Sequence, residues 1–579
     1  MPTIADATAQ AFQAFESGQL DRAEYWCRQV LEHQPQDGKM LNLLGVISYQ
    51  MGRLTEAIVY YRAATEANPI DPEIYNNLGI VLQDLGHLDT ALAQFEAAID
   101  LRPDFAQAQF NFGNALFSDG QIPEAIQAYE RALQIDPGYT KARNNLAHLY
   151  QSIGDTNRAI SLYRQSLQQD PASANAQMSL GNLLQEQGNL DGAMSHYERA
   201  MQLEPNNPDL RHNLALAFAA MGAPEDAIAT HYEVLALNSQ HPESHHRLGR
   251  LLQPHRSAEA LAHLQQAIQY NPEFAEAYQS IGQLWRDRQE FKAAIASFQQ
   301  AITLDPDFTE ARLDLAETYL QLGDYAQGFA AYDCRWSVSR FLQHQLPRHR
   351  SINAWQGESL QDKTILLWGE QNIGLALAFL RFAPQLKQMG ATVWVECEST
   401  ISPLVQSLVE IDQVIARGER IPACDYQISV VDLAKYLKIE LSNLAAPIQL
   451  QPQAELRHPI RKIGLAIDES ELTELADKLA GFEITHLQGD NYAQLATTIA
   501  GLDLVIATDN PIAHLAANLG QRVFLLLAYV PHWLWLVDHS DSPWYANVEL
   551  FRQATVADWK QPIAQLVTAI DQANSPNPN

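Results

Sequence analysis

Six prolines, Pro35, Pro69, Pro103, Pro137, Pro171 and Pro205, stand 34 residues apart, and Pro272 and Pro306 resume the series after a gap of 67, two periods less one residue. Glycines keep the same beat at Gly18, Gly52, Gly86, Gly120, Gly154, Gly188 and Gly222. A chain that places its helix breakers at a fixed interval builds one small unit many times over. Each unit then leaves an apolar face that only its neighbour can cover, so the repeats must stack.

Three further series define the unit. Small residues recur at Gly45, Gly79, Gly113, Ala147, Gly181, Ala215 and Gly249, and again at Ala57, Ala91, Ala125, Ala159, Ala193 and Ala227. Aromatic residues follow the second series at Tyr61, Phe95, Tyr129, Tyr163 and Tyr197. The small residues let two helices approach closely, the aromatic ring is expected to fill the gap between helix pairs, and proline ends the second helix. The pattern resembles the tetratricopeptide repeat family from about residue 5 to 336. That resemblance implies an α-solenoid over residues 1–336, nine to ten helix pairs wound into a right-handed superhelix.

Asn77, Asn111, Asn145 and Asn213 share one phase of the repeat. In this fold that position should face the concave groove, where four amides could grip the backbone of an extended peptide; the alternative is that they are solvated. The row resembles the asparagine ladder of O-linked N-acetylglucosamine transferases, which also join such a superhelix to a sugar-transfer domain.

Charge and cysteines narrow the partners. A formal net charge of −30 opposes the counterion displacement that nucleic-acid binding needs, and leaves a protein or peptide as the expected partner. Cys27, Cys334, Cys397 and Cys424 are far apart, with neither a metal-ligand spacing nor a disulfide framework. No metal is expected. The start, "MPTIADATAQAFQAFESG", lacks a basic and apolar signal pattern, and the run "VFLLLAYV" is far below the roughly 20 residues of a membrane span. A cytoplasmic protein is expected.

After the repeats the rules change. Residues 337–361 have no periodicity and read as a linker. From residue 362 strands alternate with helices, which implies parallel sheets in two Rossmann-like halves, 362–455 and 456–570, with a disordered tail at 571–579. Within the second half, "VIATDNPIAHLAANLG" (505–520) is a strand that stops at Asp509 and restarts as a helix at Pro511. A strand-to-helix turn of this kind aims backbone N–H groups into a crevice and commonly receives phosphate. Asn510 is a good cap and Pro511 a good first helical residue, so free first-turn donors are expected there.

"GDYAQGFAAYDCRW", "EQNIGLALAFLRFAPQL", "ATDNPIAHLAANLG" and "HWLWLVDHSDSPWY…LFRQ" resemble bacterial tetratricopeptide proteins fused to a heptosyltransferase-like domain of the GT-B type, in patches over 323–560. The resemblance implies that Asp509, Asn510 and His514, with Gly374 of the first half, face a nucleotide-sugar diphosphate. It also implies a metal-independent transferase with no cofactor beyond that donor. Two motifs depart from the family. Gly374 is followed by Leu375 where an acid would act as base, and a leucine cannot take a proton; Glu370, or Glu396, is the substitute the sequence offers. Asp468, Glu469 and Glu471 stand where basic residues would neutralise the donor. The expected function is a protein-binding arm joined to a partly degenerate glycosyltransferase-like domain, the alternative a non-catalytic scaffold.

Overall fold

The computed structural model describes residues 3–253, 255–338, 341, 349–370, 372–450, 459–467, 475, 478–537 and 539–575. The chain divides into two compact units, Met1–Ser239 and Gln240–Asn579.

The first unit is built from helices alone. First helices of 13 residues, such as Ala106–Ser118, alternate with second helices of 14, such as Ile122–Ile135. The aromatic series closes each pair from inside. An added Cβ would lie 2.5 Å from the Tyr61 ring at Gly45, 2.7 Å from Phe95 at Gly79 and 2.8 Å from Tyr129 at Gly113. The rings therefore rest on the glycine backbone of their own pair rather than filling the space between pairs. At these three positions an added Cβ would force the ring to shift. At the turns, Gly18 to Gly222 all have positive φ, between 73° and 81°, a left-handed conformation that costs other residues about 1–2 kcal/mol.

The second unit opens with the last repeats. The period slips in its first pair, where the helix Pro242–Leu252 has 11 residues instead of 13. One pair later the left-handed turn position is held by Gln289 at φ 59°, with no glycine. The helix Thr309–Gln321 and the short Tyr325–Ala331 complete the repeats.

Two parallel sheets follow. β1 (Thr364–Trp368), β2 (Thr392–Cys397), β3 (Gln413–Ala416) and β4 (Tyr426–Ser429) lie in the order β3-β2-β1-β4. β5 (Lys462–Ala466), β6 (Glu483–His486), β7 (Leu504–Ala507), β8 (Val523–Leu527) and β9 (Val548–Arg552) lie in the order β6-β5-β7-β8-β9. All the strand pairings are parallel. One apolar cluster joins Leu313, Leu320 and Tyr325 of the repeats to Val393 and Val505 of the two sheets and to Trp544.

Two expected boundaries move. In the stretch expected to be a linker, Trp355 is buried and its N–H donates to the Gln427 carbonyl at 2.9 Å, so this segment lies along β4. The last helix, Lys560–Asn574, runs past residue 570, because Leu566 and Ile570 are buried and Asn574 Oδ1 accepts from the Ile460 N–H at 2.6 Å. No helix among the described residues is long and apolar enough to cross a membrane.

Candidate functional site

β7 ends at Ala507, and the chain turns through Thr508 and Asp509 into the helix Pro511–Asn518. Asn510 is the N-cap. Its Oδ1 accepts from the Ile512 and Ala513 N–H groups at 3.0 and 3.1 Å, and its Nδ2 donates to the Ala466 carbonyl at the end of β5 at 2.7 Å. Pro511 has no N–H. The first-turn donors expected to be free for a phosphate are thus taken by the cap, whose amide is pinned to the neighbouring strand.

His514 lies one turn in and is 5% exposed. Its Nδ1 is 3.1 Å from the Tyr545 hydroxyl, its Nε2 is 3.7 Å from Asp509 Oδ1, and Trp535 stacks on the ring at 5.0 Å between centroids. Gly374 closes the remaining side: a Cβ there would lie 2.5 Å from His514 Cδ2. The structure thus brings Gly374, Asp509 and His514 together across the two halves. Burial would push the Asp509 carboxyl up, but His514 beside it, with His532 and Trp535, outweighs it and holds the group below its ordinary range. Burial, with the charge of His514, pushes half-buried His532 down to about 4 against the pull of Asp509.

Glu370 is buried just beyond β1. Its Oε1 accepts from Arg335 Nη2 at 2.7 Å and from the Ser429 hydroxyl at 2.5 Å. The same Arg335 nitrogen lies 2.6 Å from Asp432 Oδ1, and Trp336 Nε1 donates to Asp432 Oδ2 at 3.2 Å. Burial pushes the Asp432 carboxyl up, and Glu370 adds to that while Arg335 opposes it. Burial alone would disfavour the Arg335 charge, but Asp432 and Glu370 outweigh it and raise its pKa. Glu396, the other acid, is fully buried, 2.5 Å from His349 Nε2. A general base must reach a substrate proton, and both carboxyls are turned into the protein. Asp468, Glu469 and Glu471 lie outside the described residues.

In the first unit, three amides of the row donate to asparagines of the preceding repeat that stand outside the row. Asn77 Nδ2 donates to Asn42 at 3.3 Å, Asn111 to Asn76 at 2.8 Å and Asn145 to Asn114 at 2.8 Å, each from one repeat to the one before. Asn111 is buried; Asn77, Asn145 and Asn213 are half-buried.

Sequence reasoning missed Arg335, Asp432, Trp535 and Tyr545. Arg335 sits inside "YDCRW" and the two aromatics inside "HWLW" and "SPWY", so the signal was the odd density of bulky residues in these patches.

These helix pairs match known repeats. Tetratricopeptide repeat families match residues 76–140, 116–183, 152–195 and 286–328, and a TPR repeat family matches 45–86 and 181–222. No curated protein matches the chain. Solved structures similar to it include MamA, 26% identical over 28% of this chain and 94% of that one, with a TM-score of 0.27. PilF of Pseudomonas aeruginosa is 24% identical over 37% and 97%, with a TM-score of 0.33. YrrB, described as a TPR protein with an unusual peptide-binding site, is 22% identical over 32% and 96%, with a TM-score of 0.27. The class is a helical repeat protein with a parallel α/β region after it. In particular, the repeats are tetratricopeptide repeats.

Proposed function

We propose that this protein is a scaffold: a peptide- or protein-binding repeat arm carrying a GT-B-like domain that no longer transfers sugar. The observation that carries the reading is the fate of Glu370, the substitute base the sequence offers, which is fixed by Arg335 and Ser429. The capped turn at Asn510 supports it, since the donors that would hold a diphosphate are already paired. The net charge of −30 favours basic or neutral protein partners, and the four free cysteines fit a reducing, cytoplasmic setting.

A second reading, a working transferase, is favoured by the chain Asp509–His514–Tyr545, a polar relay beside Gly374 where the two halves meet. Calorimetric titration of the full chain with a panel of nucleotide sugars, with donor hydrolysis followed in parallel, separates the two. The scaffold reading expects no turnover and at most weak binding that His514→Ala removes. Turnover that disappears in Glu370→Gln would overturn it. For the arm, a partner isolated by affinity capture should bind the Asn77→Ala, Asn111→Ala, Asn145→Ala triple variant at least tenfold more weakly.

A further inference from the structure

Each first helix of the Met1–Ser239 unit carries one stripe of four residues on the side where successive first helices meet. In Ala106–Ser118 the stripe is Phe110, Asn111, Asn114 and Phe117, a spacing that puts all four on one face. The bonds from Asn111 to Asn76 and from Asn145 to Asn114 cross between successive first helices on that face. Carried at 34-residue intervals through the seven helix pairs of this unit, the four positions hold no Asp, Glu, Lys or Arg. Amides such as Asn182 and Gln185 alternate there with apolar residues such as Phe12 and Val46. Charge returns only toward the two ends of the helices, where Lys39, Glu73, Asp84 and Glu186 flank the strip.

A chain that is 18% charged would be expected to place several charges on a strip of this length. The repeat does not demand neutrality, because in the second unit the same positions carry Arg247, Arg250, Arg286, Asp314 and Glu317. There Arg286 lies 3.1 Å from Asp314 Oδ1. Contact with water does not demand it either, since a face that met only solvent would accept charge as readily as amide. The strip also offers both halves of a hydrogen bond. Asn114 Oδ1 accepts from Asn145 Nδ2 and from the Tyr129 hydroxyl at 2.8 and 2.7 Å, so Nδ2 is the atom Asn114 has left to donate. Asn145, having donated, keeps an Oδ1 with no donor among the described residues, and both residues are half-buried. An extended peptide brings one N–H and one C=O per residue and needs partners for both. A charged side chain laid on the strip would lose water and gain no opposite charge.

We propose that this strip selects an uncharged, extended peptide segment, its backbone held by the amides and its side chains small, polar-neutral or apolar. The proposal rests on reading the repeats as a peptide-binding arm, and it names the chemistry of the segment that arm takes. The net charge of −30 acts on a partner from a distance, whereas the strip decides which stretch of the partner is seated.

The test is selection of a phage-displayed library of random peptides on the full chain, followed by fluorescence anisotropy of the enriched peptides at low and high salt. Enriched peptides are expected to share a stretch free of Asp, Glu, Lys and Arg, and their affinity should be unchanged by salt. Placing Lys or Glu in the middle of that stretch should weaken binding at least tenfold. The double variant Gln83→Glu, Gln151→Glu puts two charges on the strip at half-buried positions that make no side-chain hydrogen bond among the described residues. It should bind the neutral peptides at least fivefold more weakly and, in its own selection, enrich peptides with Lys or Arg. Circular dichroism should show the variant folded as the parent is. Enrichment of charged stretches by the parent, or neutral peptides bound equally well by parent and variant, would overturn the proposal and leave the peptide-binding arm standing. No enrichment of any peptide would overturn the arm itself and the proposal with it.

Discussion

The turns of the early repeats and those of the last ones do different work. At Gly18, Gly52, Gly86, Gly120, Gly154, Gly188 and Gly222 an added Cβ would meet nothing within 4 Å, so these turns only reverse the chain. In the second unit, Gln289 replaces the turn glycine and donates from Nε2 to the Tyr529 carbonyl at 2.7 Å. Gln321 Nε2 donates to the Pro531 carbonyl at 2.8 Å, and an added Cβ at Gly323 would lie 2.8 Å from Leu441. Where the period is strict, a repeat needs only its neighbours. Where it slips, turn residues have been recruited to hold the α/β region, and the last repeats share its core.

The largest test of that attachment is Arg335, which leaves the repeats to sit, fully buried, between buried Glu370 and half-buried Asp432. Arg335→Met strands Glu370 and Asp432, and breaking a buried pair in this way costs about 3–5 kcal/mol. Hydrogen exchange should accelerate across β1 and β4 and leave helices of the Met1–Ser239 unit unchanged. Equal loss of protection in both units would show that the repeats unfold as one body.

Acid should act next most strongly. Burial pushes His246 down to about 3 and His532 to about 4, both in the second unit. Unfolded histidine binds its proton near pH 6.5, so below that pH the unfolded chain takes up protons that these folded rings refuse. Their contribution to stability is complete above about pH 6.5 and falls as pH drops toward 4, by up to about 1.4 kcal/mol per pH unit for each ring. Denaturation followed by tryptophan fluorescence, which reports mainly the second unit because only Trp26 of the ten tryptophans lies in the first, should show a falling midpoint over this window. A flat profile from pH 7 to 5 would sink the assignment.

In the first unit the corresponding weak point is the ring-on-glycine contact. Gly113→Ala puts a methyl 2.8 Å from the Tyr129 ring, and overpacking of this kind costs about 1–3 kcal/mol. Exchange should quicken over Ala106–Ile135 and its neighbours, because a stack of repeats couples nearest neighbours. The second unit should not respond.

How much of this could be read from sequence follows the same division. The repeats were legible because their signal is local and recurs: a glycine, an aromatic ring and a proline at fixed offsets describe contacts within one pair. Strand and helix order in the α/β region was legible from alternation, although β9, short and with Glu549 inside it, was not recognised. The site was legible only in part. Asn510 was placed correctly as a cap, but a cap can offer donors to a ligand or consume them, and the bond from Asn510 to Ala466 that decides the matter joins residues 44 apart. Glu370 was found, but its partner Arg335 stands 35 residues earlier and across the end of the repeats. Pairings of that range leave no periodic trace.

The smallest effect is expected at Gln289, and its sign is the sharpest probe of the recruited turn. Gln289→Ala keeps the left-handed strain at φ 59° and removes the bond to Tyr529, so it should cost about 0.5–1.5 kcal/mol. Gln289→Gly loses the same bond and relieves strain of about 1–2 kcal/mol. It also loosens the unfolded chain, at a cost of about 0.4–1 kcal/mol. The glycine variant should therefore lie within about 1 kcal/mol of the parent and be more stable than the alanine variant. At Gly222 the order reverses in the useful sense, since Gly222→Gln acquires the strain and has no contact within 4 Å at its Cβ to offset it. Exchange at the Tyr529–Pro531 segment should quicken in both Gln289 variants and stay unchanged in Gly222→Gln. If Gln289→Ala leaves that segment as protected as the parent, the turn does not hold the α/β region, and the glutamine is merely tolerated where a glycine was lost.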